Sequence, residues 1–264
     1  MRWRVESAPR KKGAGIEQIR LACFERDALA QVPIMRLSPS DIASYRDRRM
    51  MVVAGETVRR ELALLNSVIQ TARTDWGIPI SSNPVSLVKK PASSPARKRR
   101  LQGDELELLQ RALLKARNDG FRDVVGFALE TAMRRSELLA LTWSDIDLES
   151  GIARLLEGKN GHGRSVPLSK AAQDILRKRQ SSESQGVKVF PLTPNAVRLA
   201  WERTTRRAEI ADLHFHDLRH EAISRSFERG LSIAEVALIS GHRDVRMLFR
   251  YTHLRAEDVA KKLI

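Results

Sequence analysis

Residues 214–220 read HFHDLRH, and on a helix His216 and Arg219, three apart, share one face. Four of the six histidines fall within thirty residues: His214, His216, His220 and His242. A metal site is poorly supported. The chain has one cysteine, Cys23, the histidines neighbour arginine rather than carboxylate, and no HExxH is present. A cationic face that carries a titratable imidazole suits a phosphate, because arginine donates in bidentate fashion and histidine moves a proton. Taken alone, the pair also fits an ordinary charged surface helix.

Upstream lies TAMRRSELLAL (131–141). Its apolar Met133, Leu138, Leu139 and Leu141 bring Arg134 or Arg135 toward the buried side, and Glu137 stands where it can brace the Arg134 guanidinium. Such an arginine is either a structural ion pair or a preorganised phosphate ligand. Next comes GIARLLEGKNGHGRSVPLS (151–169), two short strands around a Gly-rich turn that carries Lys159. Downstream, GHRDVRMLFRYTHL (241–254) holds Tyr251, one of two tyrosines, after Arg250 rather than inside an apolar stripe. Helices are expected at about 104–118, 121–133 and 136–142. Thr193-Pro194 opens another, and SIAE (232–235) is a capping box preceded by Gly230 and closed by Gly241. With no βαβ alternation, the fold class is mainly α with a small antiparallel β-sheet.

The N-terminal part, residues 1–86, reads as a small helical domain. Ser38, Pro39 and Asp41 start one helix, and an earlier one is expected over Ile16 to Ala30. From Thr57 the apolar stripe Val58, Leu62, Leu65, Ile69, Ala72, Trp76 runs to a stop at Gly77 and Pro79. Between the two parts, SSNPVSLVKKPASSPARKRR (81–100) resists regular structure. Residues 87–100 read as a basic linker to a domain over 101–264. Lys89, Lys90, Arg97, Lys98, Arg99 and Arg100 meet no acid within it; such a run is either a solvated linker or one that binds nucleic acid, and between two folded domains of a basic protein the second is expected.

The 264 residues carry 47 Lys and Arg against 32 Asp and Glu, a net +15 that calls for a polyanionic partner. Residues 1–100 hold 20 basic and 9 acidic side chains and the remainder 27 and 23, so the first part is the basic clamp. Hydrophobic residues at 42% exclude global disorder, and no apolar run approaches the ~18 residues of a membrane span. MRWRVESAPRKKGAG (1–15) has no apolar stretch behind its charges and is not a secretory signal, which gives a cytoplasmic expectation and no membrane partner. Aromatics at 5% argue against an RNA-stacking module.

In this order the runs resemble the catalytic domain of tyrosine site-specific recombinases, the phage integrase family. Its signature of arginine, lysine, histidine-x-x-arginine, histidine and tyrosine falls on Arg134, Lys159, His216 with Arg219, His242 and Tyr251. ELALLNSVIQTARTDWG, KNGHGRSVPLS and LHFHDLRHEAISR are similar to shufflon-type DNA invertases. The resemblance implies a helical core-binding domain ahead of the catalytic domain, and DNA cleavage through a 3′-phosphotyrosine on Tyr251. Arg134 and Arg219 would hold the phosphate. Lys159 would protonate the leaving 5′-oxygen, His216 exchange the tyrosine proton and His242 orient the phosphate, with Glu137 fixing an arginine. It implies no metal and no cofactor, double-stranded DNA recombination sites as partner, a homotetramer on paired sites, and a monomer or weak oligomer without DNA. A type IB topoisomerase or a non-catalytic DNA-binding regulator of the same fold are the alternatives. Two departures stand out. Ala132 occupies a place where the family has glycine, expected as a conservative packing change, and the first helix of the core-binding domain is mostly missing before Lys11. Ala256, Val259, Ala260, Leu263 and Ile264 follow helical spacing in a tail that, in relatives, docks on the neighbouring subunit.

Overall fold

The computed structural model describes residues 2–6, 14–95, 97–155, 163–182 and 186–252. The chain divides into two compact units, Met1–Ala96 and Arg97–Ile264. The division falls inside the stretch read as a linker and gives residues 97–100 to the second unit.

The first unit contains α1 (Arg2–Glu6), α2 (Ala14–Glu25), α3 (Pro39–Met50) and α4 (Gly55–Thr74). Ser38 caps α3 in the expected capping box with Asp41. The α4 stripe forms as its spacing predicts: Val58, Leu62, Ile69 and Ala72 are buried, and Gly77 takes a positive φ just beyond the helix. Among the described residues, charge enters this core once. Glu61, buried on α4, accepts the Tyr45 hydroxyl at 2.8 Å and the Arg49 guanidinium at 3.0 and 2.7 Å, so the carboxylate is fully compensated.

The second unit begins with α5 (Glu105–Leu114), α6 (Asp119–Thr131) and α7 (Arg135–Ala140). A three-stranded antiparallel sheet follows in the order β1 (Ile146–Asp147), β2 (Ile152–Leu155), β3 (Arg164–Pro167), with Ala153 opposite both Ile146 and Val166. Then come α8 (Lys170–Ser182), α9 (Pro194–Arg207), α10 (Asp217–Glu228) and α11 (Ile233–Ser240), and a 3₁₀ turn over Val245–Tyr251. The sequence reading found the β2–β3 hairpin and most of the helices. It missed β1, only two residues long, and α8, whose inward face interrupts Ala172, Ile175 and Leu176 with the buried charge of Arg179. Helix α6 packs against both α8 and α10. Phe127, Leu138, Leu176, Val197 and Leu218 are fully buried in the main core. A smaller apolar cluster, Ala132, Ala222, Ile223, Val236 and Leu248, seats Tyr251.

Two expectations need correction. The first concerns the linker cations. Arg97 donates to Asp217 at 2.8 Å and to Asp212 at 3.0 Å, Arg99 to Glu105 at 2.8 Å, and Arg100 to Glu221 at 3.1 Å and Glu228 at 2.6 Å. Acids absent from the local sequence are supplied by the folded unit, so these three arginines are tethers of that unit rather than free linker charges. Lys89, Lys90 and Lys98 remain exposed. The segment around Lys89 is itself held to the first unit, because Arg46 donates to the Lys89 carbonyl and Arg59 to the Pro91 carbonyl, at 2.8 and 2.7 Å.

The second concerns Ala132. It caps α6 in the left-handed conformation, φ 51°, ψ 19°, so the change from glycine is one of backbone strain and not only of packing.

Candidate active site

Helix α7 starts at Arg134 because Glu137 caps it. One Glu137 oxygen accepts the Arg134 backbone N–H at 2.8 Å, and the other accepts Arg134 Nη1 at 2.8 Å. Arg134 is left half-buried while Arg135 is exposed, which settles which arginine turns inward. Arg164 on β3 closes on the same carboxylate, with Nη1 and Nη2 at 3.0 and 2.9 Å from its two oxygens. Burial alone would raise the Glu137 pKa, but donation from Arg164 and Arg134 outweighs it and holds the carboxyl at about 2. Arg164 also donates Nε to the Ile239 carbonyl at 3.2 Å. It passes so close to Gly241 that a Cβ there would lie 2.9 Å from the guanidinium, at a backbone φ of +69°. Glycine is required just before His242 on both counts.

Arg219, on α10, is buried and has no carboxylate partner among the described residues. Its Nη1 donates to the Ala132 carbonyl and its Nη2 to the Ser240 carbonyl, at the C-terminal ends of α6 and α11. Burial, with Arg134 nearby, lowers its pKa to about 10, which still leaves it charged at neutral pH. The strained Ala132 peptide and the end of α11 thus hold the second arginine as Glu137 holds the first.

Three histidines surround these cations. His216 stands at the start of α10 and stays exposed. Desolvation by neighbouring protein atoms, then Arg219, push its pKa down. Ser240 Oγ donates to the Val236 carbonyl at 2.6 Å, so its lone pair must receive the contact with His242 Nδ1 at 2.7 Å. His242 therefore carries its proton on Nδ1 in the free protein, and burial followed by Arg219 and Arg134 lowers its pKa to about 4. His220 lies one helical turn beyond His216, their rings edge to face at 5.2 Å. Its Nδ1 is 2.5 Å from the Tyr251 hydroxyl, with the two rings stacked at 27°. Tyr251 is buried, and burial raises its pKa against the opposing effect of Arg250.

Two cavities adjoin this cluster. One of about 770 Å³ is lined by Arg134, Arg135, Arg198, His214 and His216. The other, about 400 Å³, is lined by Lys98, Arg100, His220, Ser224, Arg250 and Tyr251.

Arg134, His216, Arg219, His242 and Tyr251 are gathered onto the facing ends of α7, α10, α11 and the final 3₁₀ turn. Lys159 lies outside the described residues, as do the tail positions 256–264. Sequence reasoning missed His220, Arg164 and Ser240. His220 was within view, four residues from His216 on the same helix. Arg164 and Ser240 gave no local signal, since their partners are far away in sequence.

The phage integrase family model matches residues 99–258. A shufflon-specific DNA recombinase of Escherichia coli is 45% identical over 262 residues, covering 96% of this chain and 67% of the relative. The fold is similar to the Tn1549 transposon integrase in complex with circular intermediate DNA, at a TM-score of 0.80 and 19% identity over 100% of this chain and 96% of that one. It is similar also to a lambda integrase dimer bound to a core site, at a TM-score of 0.80 and 20% identity over 97% and 94% of the two chains. With more than half its length matched by the model and a relative of that identity, the chain belongs to the phage integrase family of tyrosine recombinases.

Proposed function

We propose that Tyr251 is the nucleophile of a site-specific DNA recombinase. Its oxygen attacks a backbone phosphorus, forms a 3′-phosphotyrosine and expels a 5′-hydroxyl, and a second 5′-hydroxyl reverses the step. The bond energy stays in the covalent intermediate, so rejoining requires no nucleotide. Charge that develops on the non-bridging oxygens is met by Arg134 and Arg219, each preorganised by its own hydrogen bonds. His216, exposed beside them, and His242 complete the phosphate pocket, and Lys159 is the acid for the leaving oxygen. The substrate is a pair of double-stranded DNA recombination sites held by four copies of the chain, for integration, excision or inversion, and the similarity to a shufflon-specific DNA recombinase supports this reading.

The observation that carries this reading is the buried Tyr251 hydroxyl, hydrogen-bonded to an imidazole on the helix that also bears Arg219. The test uses a nicked suicide duplex that carries a recombination site taken from the DNA beside the gene. The wild-type chain forms a covalent protein–DNA band that persists in excess chelator. Tyr251→Phe shifts the same duplex but forms no such band. An undiminished band in that variant removes the assignment.

A further inference from the structure

A phenol attacks phosphorus well only if something takes its proton, and burial makes this phenol a weaker acid than usual. The acceptor must lie within hydrogen-bond reach of the oxygen. His216 matches the family pattern for that task, yet it sits exposed at the N-cap of α10. One turn further along, His220 holds its Nδ1 2.5 Å from the Tyr251 oxygen, with the two rings stacked.

We propose that His220 is the general base for Tyr251, taking the phenolic proton on Nδ1 as the oxygen attacks and returning it when the strand is rejoined. This rests on the reading of Tyr251 as nucleophile. In the forward step the tyrosine O–H breaks and an N–H forms on His220. The tyrosine oxygen–phosphorus bond forms while the phosphorus–5′-oxygen bond breaks, and the leaving oxygen is protonated by a separate acid, the role given to Lys159. In the reverse step the imidazolium protonates the departing phenolate. His216 is thereby free to contact the phosphate.

The surroundings fit a base that is idle until DNA arrives. Among the described residues, the charged and titratable groups around His220 are Asp217 and Arg219 on its own helix, His216 at that helix's N-cap, His242 after α11, Arg250 on the 3₁₀ turn, and Lys98 and Arg100 across the smaller cavity. Burial, then His216, keep the imidazole neutral in the free protein, so Nδ1 offers a lone pair to the phenol. A phosphate anion entering beside Arg134 and Arg219 opposes those cations and strengthens the base.

The test compares the intact chain with His220→Asn and His220→Ala on the suicide duplex, alongside DNA binding by gel shift. His220→Asn can still accept a hydrogen bond near the Nδ1 position but cannot carry the proton away. Both variants are expected to bind DNA as wild type and to form the covalent complex about 100-fold more slowly or worse. Replacing the tyrosines by 3-fluorotyrosine, a more acidic phenol, is expected to recover at least 10-fold of that loss in His220→Asn. A wild-type rate in His220→Asn overturns the proposal, as does a loss that the fluorinated residue does not relieve. Relief in His216→Asn but not in His220→Asn assigns the proton to His216. If the wild-type chain itself makes no covalent complex, the nucleophile reading fails instead.

Discussion

Arg164 and Glu137 stand 27 residues apart in sequence and meet through two parallel hydrogen bonds of 3.0 and 2.9 Å. The same carboxylate holds both the backbone and the side chain of Arg134, so a strand residue outside the signature fixes a signature arginine through one shared acid. The pair links stability to pH with a definite sign. The Glu137 pKa is lowered when folded, from an ordinary 4.5 to about 2, so its contribution is complete above pH 4.5 and disappears as the pH falls toward 2. Glu137→Gln is expected to lose about 3 kcal/mol at pH 7, with the gap from wild type narrowing below pH 4.5. Urea unfolding at pH 3, 4, 5 and 7 measures it, and a gap independent of pH contradicts the account.

Arg97 and Arg100 belong to stability first. Asp217 and Glu221 are buried, and each loses a charged partner if these arginines are replaced. Arg97→Met with Arg100→Met is expected to destabilise the chain by about 2–4 kcal/mol in urea, since a buried carboxylate that loses its partner is costly. Lys89→Gln, Lys90→Gln and Lys98→Gln together should leave the unfolding curve in place. They should weaken binding to every DNA sequence and flatten its dependence on salt, because fewer counterions are released.

Ala132 carries a left-handed backbone with a buried methyl group. Ala132→Gly relieves about 1 kcal/mol of backbone strain but gives up burial worth about 0.8 kcal/mol and frees the unfolded chain, so its net effect is expected within about 1 kcal/mol of zero. Ala132→Val has no such compensation. It is expected to cost more than about 2 kcal/mol and to slow cleavage, since the Ala132 carbonyl positions Arg219. Thermal unfolding beside covalent-complex assays on both variants decides this.

His242 gives a spectroscopic prediction. In the free protein its imidazole is neutral with the proton on Nδ1, because the Ser240 hydroxyl is already committed to the Val236 carbonyl. A hydrogen bond from the other ring nitrogen to a phosphate requires a second proton. Nitrogen-15 spectra of selectively labelled histidine are therefore expected to show His242 neutral at pH 7 without DNA and doubly protonated with it. A neutral ring in the DNA complex contradicts the role given to it.

The parts of the site that the sequence made legible are those encoded locally. Ser232 with Glu235 and Gly241 mark the two ends of α11, and the apolar positions around Arg134 and Arg135 restrict which arginine turns inward. What stayed hidden is set by tertiary contact. That His220 rather than His216 touches Tyr251 depends on where the 3₁₀ turn lands on α10, and no spacing rule encodes that. The ion pairs of the arginines at 97, 99 and 100 stayed hidden for the same reason: their acids sit on α5, α10 and the loop before α10, up to 128 residues away.

Arg219 draws its countercharge from the carbonyls of Ala132 and Ser240, the negative ends of two helix dipoles. Carbonyls do not titrate. An arginine leaning on a carboxylate loses its partner in acid, whereas this one keeps both of its hydrogen-bond acceptors wherever the fold survives. Of the two phosphate ligands, Arg134 thus loses its acceptor in acid through Glu137, while the carbonyls that hold Arg219 remain. The acid limb of the cleavage profile then reports the proton-carrying groups and Glu137, with no contribution from the buried guanidinium.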